Sequence, residues 1–498
     1  MASDEGKEGR QDTAETEESS RGIITRGRIG LVLGPTLFAV FLWIPQITDL
    51  DHAPRAVLAV TLWVATWWIT EAMPIPATSL LPVILLPLTG GTDEETATMA
   101  YADPIVFMYL GGFTIALAIQ RWDLHRRIAM TIIRMVGTGG SRIMLGIILA
   151  CAFLSMWISN AATALMMLPI ALALVEEVKE RQLYDEESFR RFSKGLLLSV
   201  AYASTIGGLA TLIGSVPNAV FAAQAGILLD AEVTFASWML FAGPMTLLML
   251  AALYLLFSKV LFRVTMQTET PPDFAKEELR KLGAMSYEEK VVLTIFAAVG
   301  TLWISSGFLP DAVPLTDTTI SMVGAVLMFL VPARQQKGGL LVWKDLADLP
   351  WGILLLFGGG LSLAAAFEDS ELTPWFGELM EQLEVLPYAL IIIAVAAIVL
   401  FMTEVMSNTA VSNMLIPVAA GMALGMGVDP FAIMALVAMT SSCAFMLPIS
   451  TPPNAAVFSS GYITMDDMVK AGIWMNIVAI TLTSVFILFW QPVVLAGP

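Results

Sequence analysis

The sequence predicts an all-α polytopic membrane protein built from two inverted repeats with broken helices, and three observations lead to this fold. Of the 498 residues, 57% are hydrophobic and 14% are charged, whereas a soluble domain carries about 25% charged residues. The apolar residues stand in uncharged blocks that are long enough to cross a bilayer. Several motifs occur twice, in the same order, on either side of a polar segment.

The uncharged blocks place the chain in a membrane. Residues 30–48, 143–175 and 195–229 contain no Asp, Glu, Lys or Arg. A helix needs roughly 20 apolar residues to cross the hydrocarbon core, so blocks of this length are spans or pairs of half-spans. They indicate a multi-pass protein of the cell membrane, whose apolar faces contact lipid.

Residues 1–28 are predicted to form a disordered, acidic, cytoplasmic tail, because they show no apolar periodicity. The tail differs from a secretory signal peptide in being acidic and long and in lacking a cleavage motif. Arg21, Arg26 and Arg28 immediately precede the first span and favour a cytoplasmic N-terminus. A solvated tail and a regulatory or partner-binding segment are both open. The acids among the first twenty residues are Asp4, Glu5, Glu8, Asp12, Glu15, Glu17 and Glu18.

A polar segment divides the rest of the chain into two repeats. Residues 265–290 contain Pro271, Pro272 and a run of Lys and Glu, which predicts a water-exposed linker. The first membrane repeat then covers residues 29–264, and the second covers residues 291–498. If each repeat crosses the membrane an odd number of times, the two repeats are inverted.

Four segments before the linker resemble four segments after it. The pairs are 71–75 with 311–315, 110–112 with 357–359, 159–161 with 407–409, and 214–218 with 450–454. Weak repeats with breaks at matching positions are typical of secondary transporters. A single Ser-Asn pair in a membrane helix is more often a packing device, so the functional interpretation depends on the duplication.

Two chain breaks in each repeat carry polar groups into the membrane. They lie at residues 159–163, 207–218, 407–410 and 441–454, and they contain no Lys or Arg. Unwound backbone in a membrane is tolerated where it is buried in protein or lines a wet cavity. The carbonyl and hydroxyl oxygens of these breaks suit a hard cation such as sodium. Their amide donors and helix N-termini suit an anion, so the breaks together predict a carboxylate bound beside Na+.

Two acids and two groups of glycines also lie in apolar blocks. Acids within membrane segments are candidates for function. Glu404 either tunes the cation site or caps a half-helix, whereas Glu71, which precedes two prolines, marks the end of a span. Glycines 111–112 and 358–360 fit a re-entrant hairpin and fit close helix packing equally well.

The remaining reactive residues exclude several classes of protein. Cys151 and Cys443 lie in apolar blocks and indicate buried, reduced thiols. His52 and His125 lie near charged loop edges and indicate no metal site. The chain contains no HExxH or GxSxG motif, so we expect no enzyme. Duplicated broken helices favour alternating access over a channel, and we expect no nucleic-acid partner.

At the paired motifs the chain resembles the divalent anion/sodium symporter family, which carries dicarboxylates, citrate or sulfate. That family has a Ser-Asn-Thr motif in each repeat, followed by a segment similar to Gly-Gly-x-Ala-Thr-x-Ile-Gly-Thr-Pro-Pro-Asn. The similarity runs from Arg28 to the C-terminus. It implies a homodimer whose protomers have a scaffold domain and a transport domain. It also implies two re-entrant hairpins in the transport domain and an elevator-type movement.

The resemblance implies roles for particular residues. Independently of it, Ser155 and Ser159 stand four residues apart, a spacing that places two side chains on one helical face. The first implied sodium site consists of Ser155, Ser159, Asn160 and the backbone at Gly208. The second implied site consists of Thr403, Asn408 and the backbone near Met406 and Ser450. The residues implied to meet substrate carboxylates are Asn160, Ser407, Asn408, Thr409, Thr451 and Pro452.

Two departures from the family pattern concern the substrate. Ala161 replaces the threonine of the first Ser-Asn-Thr motif, and Ser215 and Val216 replace Thr-Pro in the segment that follows. The sequence therefore predicts a sodium-coupled symporter of small dicarboxylates, of the succinate, malate and fumarate class. The alternatives are a sodium-independent dicarboxylate exchanger, a carrier of citrate or sulfate, and a related fold that handles citrate, arsenite or protons.

Overall fold

The computed structural model describes residues 26–137, 139–263, 274–307, 315–380 and 386–495. In these residues the chain is helical, with one isolated bridge between Pro332 and Gly339 and no strand. Most of the acidic tail (1–25), part of the polar linker (264–273) and most of one repeated segment (311–314) lie outside the described residues.

The helices follow one another along both repeats. Before the polar linker they are α1 (Arg26–Trp43), α2 (His52–Thr70), α3 (Ile75–Thr78), α4 (Leu81–Thr89), α5 (Glu94–Met99), α6 (Pro104–Arg121), α7 (Leu124–Val136), α8 (Gly140–Ser155), α9 (Asn160–Glu180), α10 (Glu186–Gly207), α11 (Val216–Leu229) and α12 (Phe235–Leu255). From the linker onward they are α13 (Phe274–Leu282), α14 (Tyr287–Ser306), α15 (Asp317–Leu330), α16 (Trp351–Asp369), α17 (Leu372–Met380), α18 (Tyr388–Thr403), α19 (Asn408–Gly425), α20 (Pro430–Ser441), α21 (Pro452–Phe458), α22 (Met465–Phe489) and α23 (Gln491–Val494).

Local sequence explains where many of these helices begin. Thr234, Ser286 and Thr464 form capping boxes. In each, the hydroxyl oxygen accepts from a backbone N–H of the first turn, and the side chain of the third helical residue accepts from the backbone N–H of the capping residue.

Helix α2 ends at Glu71, which is exposed and takes a left-handed backbone conformation with φ 49°. Glu71 therefore lies at the end of a helix, and its place at the end of a membrane span stays a prediction.

The lengths of the helices fit a membrane protein that mixes full crossings with shorter elements. In the described part, seven helical stretches are long and apolar enough to cross a membrane: Arg26–Trp43, Glu94–Arg121, Asn160–Glu180, Phe235–Leu261, Tyr287–Ser306, Trp351–Asp369 and Met465–Phe489. Shorter apolar helices include α8, α11, α18 and α20. These are the half-length elements that the long uncharged blocks predict.

The order of elements α6–α11 recurs as α16–α21. In each series a pair of helices joined by a short turn, α8–α9 and α18–α19, is followed by a broken helix. The first broken helix consists of α10, a 3₁₀ turn at Gly208–Ala210 and α11; the second consists of α20, the non-helical residues 442–451 and α21. The four predicted chain breaks are all present.

The two series pack into each other. Helix α11 of the first series contacts α19 and α20 of the second, and α21 of the second contacts α9 and α10 of the first. Each helix pair is therefore covered in part by a short helix that comes from the other repeat.

The compact units of the chain do not coincide with the repeats. One unit contains the residues up to Ala102 together with Trp351–Trp375, and the other contains Asp103–Pro350 and the residues from Phe376 onward. All the residues that the sequence nominates for ion or substrate binding fall in the second unit. The elements described below belong to that unit.

The glycine groups lie inside continuous helices, so a re-entrant hairpin at these positions is wrong. A β-carbon on Gly111 of α6 would overlap the backbone and side chain of Ser321 on α15. In the other unit, a β-carbon on Gly359 of α16 would overlap the backbone of Ser79. The alternative, close helix packing, is confirmed. The helical pairs joined by tight turns lie instead at α8–α9 and α18–α19.

The predicted polar linker, 265–290, contains more structure than its composition suggests. Residues 274–282 form α13, and α14 begins at Tyr287. Glu278 of α13 accepts from Arg126 of α7 at 2.7 Å and pairs with Lys281 at 2.7 Å. Lys281 and, to a lesser extent, Arg126 lower the pKa of Glu278 against the opposing effect of burial. This part of the linker is therefore docked onto α7 through charge pairs.

Candidate ion and substrate site

The turns between paired helices present the two Ser-Asn motifs in equivalent ways. Helix α8 ends at Ser155, Ser159 is the N-cap of α9, and Asn160 is the first residue of α9. In the second series α18 ends at Thr403, Ser407 is the N-cap of α19, and Asn408 is its first residue. Each asparagine thus lies at a helix N-terminus, beside unsatisfied backbone N–H groups.

Ser155 and Ser159 do not share a helical face, and the prediction that they do is wrong. The helix stops at Ser155, and a turn of four residues separates it from α9. Ser159 uses its Oγ to accept from the backbone N–H of Ala162 at 3.3 Å. Ser155 donates instead to the carbonyl oxygen of Ser204 at 2.6 Å. The spacing of four has helical meaning only on an unbroken helix.

The first series brings three oxygen atoms together around the side-chain amide of Asn160. Its Oδ1 lies 2.7 Å from Ser155 Oγ and 3.1 Å from the carbonyl oxygens of both Ser204 and Gly214. If the amide turns by 180°, its nitrogen takes this position and donates to the same three oxygens. A point surrounded by acceptors attracts either a hydrogen-bearing group or a cation. Neutral oxygens of this kind fit sodium, which like other hard cations prefers oxygen ligands.

Two positions of the first break, Gly208 and Gly214, pack so closely against this cluster that only glycine fits. A β-carbon at Gly208 would overlap Asn160 Oδ1 and the carbonyl oxygen of Gly214. A β-carbon at Gly214 would overlap the carbonyl oxygens of Gly208 and Ser155. The backbone of the break therefore approaches the Ser-Asn turn as closely as a chain can. The structure brings Ser155, Asn160 and Gly208 together, as predicted.

The second series repeats the arrangement with threonine in place of serine. Thr403 Oγ1 donates to the carbonyl oxygen of Ser441 at 2.6 Å and lies 2.7 Å from Asn408 Oδ1. Thr403, Asn408 and Ser441 thus correspond to Ser155, Asn160 and Ser204. The second cluster shares the hydroxyl, the amide and one backbone carbonyl with the first, and neutral oxygens of this kind are ligands that hard cations such as sodium prefer.

In the described part of the chain, the other predicted residues make no hydrogen bond to either cluster. Met406 lies in the turn before Asn408, and Ser450 donates to the carbonyl oxygen of Leu447 at 2.6 Å. Thr451 is the N-cap of α21 and accepts from the N–H of Asn454 at 3.3 Å, and Pro452 follows it. Ser407 and Thr409 flank Asn408 at the start of α19 and are partly exposed. Within the described part of the chain, no hydrogen bond joins these substrate candidates to one another.

Within each broken helix, an asparagine from a repeated segment supports the unwound backbone. Asn218 Nδ2 donates to the carbonyl oxygens of Gly208 at 3.0 Å and Thr211 at 2.8 Å. Asn454 Nδ2 donates to those of Ala444 at 3.2 Å and Leu447 at 3.0 Å. These bonds replace helical hydrogen bonds that the unwound backbone has lost. The matching Asn in both motifs was the available signal.

Two tyrosines also support the unwound backbone of the breaks, and neither tyrosine lies in a recognisable motif. In the first break, the Tyr109 hydroxyl donates to the carbonyl oxygen of Leu212 at 2.6 Å and lies 2.9 Å from that of Ser215. The Tyr202 hydroxyl donates to the carbonyl oxygen of Phe445 at 2.6 Å in the second. Both tyrosines are buried. Their partners stand far away in the sequence, so local pattern could not identify them.

Glu404 anchors the second break. Its buried carboxylate accepts from the backbone N–H groups of Phe445 at 2.8 Å, Met446 at 3.0 Å and Leu447 at 3.2 Å. It also accepts from Asn476 Nδ2 on α22 at 2.8 Å. These N–H groups lie in the non-helical segment 442–451, between α20 and α21. The two predicted roles of Glu404, tuning the cation site and capping a half-helix, stay predictions. The acid satisfies N–H groups that the helix break leaves free.

A chain with duplicated broken helices and paired clusters of neutral oxygens belongs to the class of secondary transporters. The family model for the sodium:sulfate symporter transmembrane region matches residues 28–496. The chain belongs to this family. It is a transporter and not an enzyme, and the resemblance stated from the paired motifs is confirmed.

Similar proteins support the same assignment. A protein named sodium-dependent dicarboxylate transporter SdcS, from Staphylococcus saprophyticus, is 41% identical over 476 residues, which cover 94% of this chain and 92% of the relative. The protein of the same name from Staphylococcus aureus strain USA300 has the same identity and coverage.

Two solved structures have a similar fold at low sequence identity. The YdaH transporter of Alcanivorax borkumensis matches with a TM-score of 0.58 at 14% identity, over 90% of this chain and 100% of that chain. MtrF of Neisseria gonorrhoeae matches with a TM-score of 0.57 at 12% identity, over 91% and 96% of the two chains. At such identities the likeness concerns the fold alone.

Proposed function

We propose that this protein is a sodium-coupled symporter of small dicarboxylates, of the succinate, malate and fumarate class. The pair of neutral oxygen clusters around Asn160 and Asn408 supports this proposal, since the two clusters lie in one compact unit. The relatives that are 41% identical are named sodium-dependent dicarboxylate transporters. Na+ is the coupling ion.

The charge of the site explains why the anion and the ion travel together. The four breaks contain no Lys or Arg, so a dicarboxylate brings two negative charges that no side chain of the breaks offsets. Sodium ions in the two clusters supply this positive charge. The N-termini of α9 and α19, with Asn160 and Asn408 as their first residues, add N–H donors that favour carboxylates. Ser407, Thr409, Thr451 and Pro452 complete the proposed substrate site.

We propose an elevator-type movement for the body that holds these residues. Helices α11 and α21 each pack on the helix pair of the other repeat, which supports movement of both ion clusters as one body. We further propose that the chain forms a homodimer, with a scaffold domain and a transport domain in each protomer. Its N-terminus lies in the cytoplasm, because Arg26 and Arg28 immediately precede the first span.

Succinate uptake tests the proposed function. Purified protein in proteoliposomes should accumulate radiolabelled succinate under an inward sodium gradient and fail to do so in equimolar potassium. Uptake that requires preloaded succinate and proceeds equally without sodium would establish the alternative, an exchanger. If succinate is not taken up in either arrangement, citrate and sulfate are tested next, because Ala161 removes one hydroxyl from the first motif.

Gly208→Ala is expected to weaken sodium binding. The added methyl group meets Asn160 Oδ1 and the carbonyl oxygen of Gly214, and overpacking of this kind costs about 1–3 kcal/mol. We therefore expect the sodium concentration for half-maximal uptake to rise by roughly tenfold, the factor that about 1.4 kcal/mol produces.

Gly243→Ala is the matched control for this substitution. Gly243 lies in α12, and a β-carbon there meets nothing within 4 Å. Its half-saturating sodium concentration should equal that of the wild type. A Gly208→Ala variant with unchanged sodium dependence would show that the break does not close on the ion as described.

A further inference from the structure

The two unwound segments touch each other through a pair of serines. Ser215 Oγ of the first break lies 2.8 Å from Ser442 Oγ of the second. Both side chains are buried, with 6% of Ser215 and 0% of Ser442 exposed. A hydroxyl pair at this distance is a hydrogen bond. It joins two backbone segments that belong to different repeats.

Ser215 makes this contact in place of a local role. It is the N-cap of α11, yet its side chain makes no capping hydrogen bond. Thr451, the corresponding N-cap of α21, does cap its helix through Asn454 N–H. A serine at an N-cap ordinarily accepts from the first turn, a contact whose loss costs about 1 kcal/mol. The hydroxyl of Ser215 is therefore directed across the repeat boundary.

Each serine is the direct neighbour of a carbonyl that faces an oxygen cluster. Gly214, whose carbonyl oxygen lies 3.1 Å from the Asn160 amide, precedes Ser215. Ser441, whose carbonyl oxygen accepts from Thr403, precedes Ser442. A shift of either carbonyl toward a bound ion therefore moves one partner of the serine pair. Both clusters influence the same hydrogen bond.

We propose that the Ser215–Ser442 hydrogen bond couples the two sodium sites, so that an ion in one cluster favours binding in the other. This inference rests on the proposed function and adds a positioning role for two residues that contact neither ion. An ion bound at one site orders the unwound segment beside it. The serine pair passes this ordering to the other unwound segment, so that the second ion binds to a site whose ligands are already in position. Coupling between two binding sites is reciprocal and typically amounts to a factor of about 5–150 in affinity.

The test measures the steepness of sodium dependence in proteoliposomes. Initial succinate uptake is recorded against sodium concentration, with choline as the replacement ion, for Ser215→Ala, Ser442→Ala and the double variant. We expect the Hill coefficient of each single variant to fall toward one. The half-saturating sodium concentration should rise about fivefold or more, the lower end of typical coupling. The double variant should match the single variants, because all three lack the same bond.

Two controls separate the hydroxyl contact from general damage. Ser199→Ala removes a buried hydroxyl of α10 that donates within its own helix to the Gly195 carbonyl, and it should leave the Hill coefficient unchanged. Ser215→Thr retains the hydroxyl and should restore the wild-type coefficient. A wild-type coefficient of one, an unchanged coefficient in both alanine variants, or additive losses in the double variant would each overturn the coupling.

A second measurement keeps this test independent of the substrate. In detergent, sodium should raise the melting midpoint of the wild type steeply and that of the alanine variants more gradually. If the wild type takes up no succinate, the proposed transport function fails while this titration still decides the coupling. Equal steepness in the wild type and the variants would refute it.

Discussion

Asn160→Ala and Asn408→Ala are each expected to abolish sodium-driven succinate uptake. Either substitution removes the carboxamide around which one oxygen cluster is built, and it also removes a proposed substrate contact at the start of α9 or α19. Even the loss of a group that only orients a metal ligand lowers affinity by roughly 10–100-fold. We therefore expect at least this loss in sodium affinity, with uptake at ordinary sodium concentrations close to background.

Asn413→Ala provides the comparison for Asn408→Ala. Asn413 is a buried asparagine on the same helix, and its amide donates to the Thr409 carbonyl oxygen within α19. It should retain most of the uptake under the same sodium gradient. Equal activity of Asn408→Ala and the wild type would remove the second cluster from the transport mechanism.

Glu404→Gln is expected to lower both stability and sodium affinity. The carboxylate accepts from three consecutive backbone N–H groups and from Asn476. A glutamine side chain keeps one acceptor oxygen, but its NH₂ group then faces N–H groups, which are donors as well. Hydrogen bonds to charged groups contribute about 1.5–3 kcal/mol each, so the melting midpoint in detergent should fall clearly. The half-saturating sodium concentration should rise, because the released segment continues from Ser441, whose carbonyl oxygen belongs to the second cluster.

Glu71→Gln tests whether this effect is particular to the buried acid. Glu71 is exposed at the end of α2, and its substitution should leave the melting midpoint and the sodium dependence as in the wild type. If Glu404→Gln behaves in the same way as Glu71→Gln, the carboxylate does not hold the second break.

The sequence predicted the features that local composition and duplication can encode. Uncharged blocks revealed the membrane class, and repeated Ser-Asn motifs located the turns at Asn160 and Asn408. Small polar residues and prolines located the four breaks. Each of these signals is contained in a short stretch of chain, and the repeat provided a second copy of each.

The sequence could not predict contacts that depend on where a helix ends or on which distant segments meet. The prediction that Ser155 and Ser159 share a helical face assumed an unbroken helix. The helix ends at Ser155, so the two side chains share no such face. The bonds from Glu404 to the second break and from Ser215 to Ser442 join residues far apart in the chain. Such pairs arise from tertiary packing, which apolar periodicity does not specify.

The exchange of short helices between the repeats has a consequence for biosynthesis. Helices α9 and α10 are synthesised well before α21, which packs on both. The first half of the protein therefore enters the membrane with one of its buried faces uncovered. Lipid or the insertion machinery must cover this face until α21 has been synthesised and can pack on α9 and α10.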